Sequence, residues 1–174
     1  MADNPEGSME KGSKRIGEIL IEKGFITEAQ LNDALLDQKV TDKFLGMILK
    51  EKGVITDKEL MQALAEQFGI QLVDIKTYYI DMELASKFTT SLIMDHKCFP
   101  LKEDEYTLTM AIVNPLNAVA IAKIEEEASP RQVELVLVLE SDLQEILQQY
   151  KQYSGQRIQR LLKRNKPAEG GPTA

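Results

Sequence analysis

The chain has 174 residues, a net charge of −7 and an apolar fraction of 43%, with no Trp and one Cys. This holds one domain or two small ones around an aliphatic core, excludes an intrachain disulfide, and contains no apolar run near the roughly 18 residues that span a bilayer. Charge is uneven: residues 11–58 hold nine Lys/Arg against eight Asp/Glu, residues 59–150 six against sixteen, and residues 151–166 six against none. The acidic middle argues against wrapping DNA or RNA, which needs a broad basic surface. The opening MADNPEGSMEKGSKR is polar and unlike a signal peptide, so a cytoplasmic location is expected.

Residues 1–12 are polar and are expected to be disordered. A repeat follows. Residues 15–38, RIGEILIEKGFITEAQLNDALLDQ, align without a gap to residues 44–67, FLGMILKEKGVITDKELMQALAEQ. Each copy reads as two helices. The first, Gly17–Lys23, buries Ile16, Ile19 and Leu20 and stops at Gly24, where glycine supplies the left-handed residue that closes a helix. Thr27 caps the next, with Gln30 at its third position; Thr56 and Glu59 repeat that capping box. Leu31, Ala34, Leu35 and Gln38, and in the copy Leu60, Ala63, Leu64 and Gln67, fall on one helix face.

The pattern changes after Phe68-Gly69. Gln71–Ile75 reads as a strand entry, and Met82–Phe88 and Leu92–His96 as short helices. Cys98–Leu101 and Tyr106–Val113 read as a hairpin turning at Glu103-Asp104-Glu105. Ala118–Glu127 is helical, Val133–Leu139 a strand, and Ser141 caps a last helix through Tyr150. The expected fold class is α+β: a four-helix tandem-repeat subdomain over 13–70, a small mixed α/β subdomain over 71–153, and a basic tail over 154–174, disordered or a linker. Within that tail, Arg157–Arg164 has the pattern of a short amphipathic helix for an acidic membrane or partner.

The doubled spacing of Arg15, Ile16, Gly17, Leu20, Gly24, Leu31, Leu35 and Gln38, and of Leu45, Gly46, Leu49, Gly53, Leu60, Leu64 and Gln67, resembles the MshEN domain. That domain stands at the N-terminus of type II secretion and type IV pilus assembly ATPases. The segments LVDI, FPL and LTMAIVNPLN after the repeat extend the resemblance over about residues 14–150. It implies a regulatory domain, not an enzyme, that binds cyclic di-GMP through those fifteen residues without metal or other cofactor. It also implies a secretion or pilus-assembly partner, with no DNA or RNA. Membrane contact is expected only indirectly or through the basic tail. The second copy departs from the motif at its first position, where Phe44 replaces Arg; Lys43 precedes it, but an ammonium does not replace a forked, stacking guanidinium.

These residue types suit a flat-faced dianion. Guanine faces stack on apolar or guanidinium surfaces, the N7/O6 edge is read by Arg, and phosphates seek Arg or helix-start N–H groups. Gly17 and Gly46 are expected to let the ligand approach the backbone, and Arg15 with Gln38 to hold one guanylate half. Taken singly, the leucines are core positions, Gly24 and Gly53 helix stops, the glutamines solvated helix ends and Arg15 a surface residue; only the in-register doubling points to a ligand. The alternative is a docking module of the same system without nucleotide binding. His96 and Cys98 lack partners for a metal or nucleophilic site, and no G-x-x-x-x-G-K-[ST] loop is present for ATP.

Overall fold

The computed structural model describes residues 14–164; the segments 1–12 and 165–174, expected to be disordered, lie outside the described residues. The fold is α+β, in two compact units divided between Val73 and Asp74.

In the first unit four helices follow the repeat: α1 (Ile16–Glu22), α2 (Glu28–Gln38), α3 (Leu45–Glu51) and α4 (Asp57–Phe68), with the short strand β1 (Gln71–Leu72) at its end. α1 and α3 close alike. The N–H of Gly24 donates to Ile21 and that of Phe25 to Leu20; Gly53 and Val54 repeat both bonds onto Lys50 and Leu49. This double closure needs a left-handed residue, which Gly24 (φ 70°) and Gly53 (φ 68°) supply. α2 and α4 open on the expected boxes: the Thr27 N–H donates to Gln30 Oε1 at 2.8 Å, and the Thr56 N–H to Glu59 Oε2 at 2.7 Å.

The packing exchanges partners between copies. α1 lies along α4, and α2 along α3. Salt bridges mark both contacts at equivalent positions: Lys23 to Glu66 at 2.7 Å, and Lys52 to Asp37 at 2.6 Å. Within each copy the contact is a leucine on a glycine. A Cβ on Gly17 would stand 2.9 Å from Leu31 Cδ1, and one on Gly46 2.5 Å from Leu60 Cδ1. The unit is therefore built with pseudo-two-fold symmetry around buried Ile19, Leu20, Ile48 and Leu49.

The second unit holds α5 (Met82–Ala85), α6 (Thr90–Asp95), β2 (Cys98–Glu103), β3 (Thr107–Ile112), α7 (Ala118–Ala128), β4 (Gln132–Leu137) and α8 (Glu140–Arg164). Its strands run in the order β4-β3-β2. β2 and β3 form the expected hairpin, with a register shift between Pro100 and Lys102; β3 and β4 are parallel and joined through α7. Asp104 shapes the turn by accepting from the N–H groups of Tyr106 and Thr107, both at 2.8 Å. Leu108, Met110, Ile124, Leu137 and Leu143 fill the core, and Phe99 meets Tyr150 edge to face at 6.0 Å between ring centres.

The last helix differs from the expectation at both ends. Leu143 N–H already bonds Leu139 C=O, so Ser141 lies inside the helix and is not its cap; Glu140 and Asp142 supply the first-turn negative charge. The helix also continues past Tyr150 to Arg164, so residues 154–164 are helical and not a disordered tail, and the amphipathic stretch expected over Arg157–Arg164 is the end of this same helix. The buried face ends at Tyr150, but no proline interrupts 151–164 and Gln, Lys, Arg and Leu favour the helix.

Candidate functional site

Each copy of the motif begins at a helix entrance. Arg15 and Phe44 are the N-caps of α1 and α3, both with extended backbone, and neither side chain bonds its own helix. The Arg15 carbonyl accepts from Glu18 and Ile19, and the Phe44 carbonyl from Met47 and Ile48. The backbone frame is the same; the side chain presented from it is a guanidinium in one copy and a phenyl ring in the other. Arg15 is exposed, and its guanidinium has no hydrogen bond or ion pair among the described residues. Its backbone N–H donates to the Glu18 carboxylate at 3.1 Å.

Lys43 does not fill the missing arginine's place. It pairs with Glu51 at 2.7 Å, as Lys14 pairs with Glu22 at 2.7 Å in the first copy. Lys43 is thus the counterpart of Lys14, and its charge is already engaged along α3.

The expected site residues separate into two groups. Leu20 and Leu49 are fully buried, and Leu45, Leu60 and Leu64 nearly so; they hold the unit together. Gly24 and Gly53 stand in open space at the helix ends and act through their φ angles. Gly17 and Gly46 are buried beneath Leu31 and Leu60, so a Cβ at either position would meet a side chain of the same copy. Accessible are Arg15 and Leu35, with Ile16, Leu31, Gln38 and Gln67 half-buried.

Gln38 ends α2 and donates its Nε2 to the Lys43 carbonyl at 3.3 Å, beside Phe44. It therefore belongs to the entrance of α3, while Arg15 opens the helix that lies along α4. Around Gln38 lies an open depression of about 610 Å³ lined also by Asn32, Leu35, Leu36 and Lys39.

Sequence reasoning missed the apolar character of this side. Leu36, Val40, Phe44 and Met47 are all exposed, Val40 by 83%. At the matching positions of the other copy stand Ala65, Gly69, Arg15 and Glu18. The signal was available: these four apolar residues lie off the buried faces, and each is matched by a small or charged one.

In the second unit the notable side chains among the described residues are engaged in packing and ion pairs. The Cys98 thiol is buried against the Leu92 carbonyl at 3.3 Å, and burial pushes it up to about 12, with the Glu127 charge adding to the shift. Glu103 is held below the ordinary carboxylate range by its hydrogen bond to Lys87 and then by Arg131, as part of a structural ion cluster. Among the described residues no group of His, Cys, Asp and Glu is placed to hold a metal ion, and no helix is long and apolar enough to cross a membrane.

Comparison with curated proteins gives no match. Among solved structures, the structure of MshE with cdg aligns at a TM-score of 0.71 and 26% identity, covering 79% of this chain and 99% of that one. The N-terminal domain of XpsE aligns at a TM-score of 0.60 and 20% identity, covering 80% and 97%, a likeness of fold. The family model of the MshEN domain matches residues 68–164, a segment that begins where the doubled motif ends. The chain belongs to the MshEN family, the regulatory and non-catalytic N-terminal domain of secretion and pilus ATPases.

Proposed function

We propose that the helical unit is a cytoplasmic receptor for cyclic di-GMP and that its two entrances take the two guanylate halves unequally. The observation that carries this reading is Arg15: an exposed guanidinium, unpaired among the described residues, at the head of the motif, in a chain similar over 79% of its length to MshE with cdg. A charge-assisted, forked contact to phosphate or to the O6/N7 edge of guanine is the work such a group does.

The exchanged packing changes which residues act together. Gln38 stands beside Phe44. The repeat offset then assigns Gln67 to the entrance of α1, so Arg15 works with the end of α4 and Gln38 with Phe44. One half of the dianion meets a cation; the other meets a ring and aliphatic surface on which a purine stacks. A partner in a secretion or pilus assembly would read the resulting order of the four helices.

Calorimetric titration of the full chain with cyclic di-GMP, against GTP and ATP, tests this. Arg15→Ala is expected to weaken binding by about tenfold or more, the loss of one charged hydrogen-bonding partner. Ligand at a hundred times its Kd stabilises the fold by about 2.7 kcal/mol, so melting temperature rises with it. No heat and no rise would leave the second reading, a docking module. That reading has its own support in the exposed Leu36, Val40, Phe44 and Met47, an apolar set of the kind used at interfaces.

A further inference from the structure

The geometry of α8 points to a further role, independent of the nucleotide reading: its C-terminal half is an interfacial helix that seats its apolar face in an anionic lipid surface. Tyr150 is the last residue of α8 that the core buries, and the helix continues to Arg164, about 21 Å further at 1.5 Å per residue. Tyr153 and Arg157 still reach Glu83 at α5, the Arg157 pair at 3.9 Å. Beyond Arg157, no side chain of α8 has a hydrogen bond or ion pair among the described residues.

That free stretch is amphipathic. Ile158, Leu161 and Leu162 stand at i, i+3 and i+4, and all three are exposed. Arg157, Arg160 and Arg164, at i, i+3 and i+7, form an adjoining stripe, with Lys163 beside it. From 151 to 166 there are six Lys/Arg and no Asp/Glu, in a chain whose net charge is −7. The basic segment lies past the last buried residue of α8, Tyr150.

Charge selects the occupant. A second copy of α8 laid along the same stripe would bring ten or so cations together with no acid in the span to balance them. Nucleic acid would take the cations but offers no apolar phase for Ile158, Leu161 and Leu162. An anionic bilayer satisfies both faces: aliphatic chains enter the acyl boundary while the long Arg and Lys side chains reach the headgroups.

Flotation of the full chain with vesicles tests the assignment. Binding to vesicles of equal phosphatidylcholine and phosphatidylglycerol is expected to exceed binding to pure phosphatidylcholine by about tenfold or more, and to fall severalfold between about 0.1 M and 0.5 M salt. Arg160→Glu with Arg164→Glu abolishes it, and Leu161→Ser with Leu162→Ser weakens it about tenfold by removing apolar burial. Both pairs lie beyond the packed part of α8, so melting temperature should not move. The proposal fails if vesicles are not bound, if neutral and anionic vesicles bind alike, or if either pair leaves binding intact. It also fails if light scattering shows an oligomer that the Leu161/Leu162 pair dissolves, because a second copy then covers the stripe.

Discussion

The two copies of the motif share a backbone and differ in what they show to solvent. Their helices start on the same residues of the repeat, and the first helix of each closes on the same glycine geometry and carries the same Lys–Glu pair. Where the fold depends on the motif, the copies agree. Where it does not, they diverge: Arg15, Glu18 and Ala65 on one side, Phe44, Met47 and Leu36 on the other; the second helices also end differently, on left-handed Gly69 in one copy and at Lys39 before Val40 in the other. Leu35 is 37% exposed while its counterpart Leu64 is 6%. The lesson is that a duplicated motif can keep its architecture under one set of constraints while its two faces drift to separate tasks.

The largest expected effect concerns the shared architecture. Gly17 and Gly46 both lie under a leucine, but Leu60 is buried and Leu31 is half-buried. In Gly46→Ala the new Cβ meets Leu60 at 2.5 Å, and Leu60 has no solvent to swing into. A cost of about 1–3 kcal/mol follows from such overpacking. In Gly17→Ala, Leu31 yields outward, and the gain of about 0.5–1 kcal/mol from replacing a helical glycine offsets the strain. Thermal melting of the two variants should separate them clearly; equal shifts would mean that burial of the covering leucine does not set the cost.

A smaller effect concerns the divergent face. Phe44→Arg places in the second copy the group that the first presents, on the same N-cap backbone. Affinity for cyclic di-GMP is expected to rise by about tenfold, the worth of one added charge-assisted contact. The melting temperature of the free protein should hardly change, because Phe44 is exposed and caps no N–H with its side chain. A fall in affinity would show instead that the ring itself stacks the ligand, and would make the asymmetry a feature of recognition and not a lost arm.

The sequence made the local architecture legible because its signals are local. Thr27 with Gln30, Thr56 with Glu59, and Gly24 with Gly53 each fix a helix end by chemistry that two or three residues carry. The exchange of partners was not legible: two copies with the same apolar faces specify equally well a contact within a copy and one between copies. For the candidate site, the exposed Arg15 and the half-buried Gln38 could be named, but not the entrance at which Gln38 stands. The leucine packed over Gly17 and over Gly46 was not legible either, because a glycine in a helix does not name the neighbour that needs its space. In α8 the buried face ends at Tyr150, and the exposed pattern of Ile158, Leu161 and Leu162 reads as a separate short helix; that the two are one continuous helix was not legible.

The smallest effect is a pH dependence that only one copy should show. Both boxes satisfy the N–H of their threonine, but through different groups: Gln30 is an amide and does not titrate, while Glu59 is a carboxylate. Hydrogen bonds from the Thr56 backbone, and next from its hydroxyl, hold Glu59 below its usual range. A carboxylate lowered in the folded state adds stability that is complete above its unfolded pKa, about 4.3, and is lost as pH falls through the lower folded value. Acid should therefore loosen the start of α4 before it affects the start of α2. In a pH titration followed by amide resonances, the Thr56 signal should move with an inflection below about 4.3 and the Thr27 signal should lack that inflection. Glu59→Gln converts the second box into the first and should flatten the Thr56 curve. Were Thr27 to move in step with Thr56 in both proteins, the titrating group would lie elsewhere and the two caps would respond to it as one body.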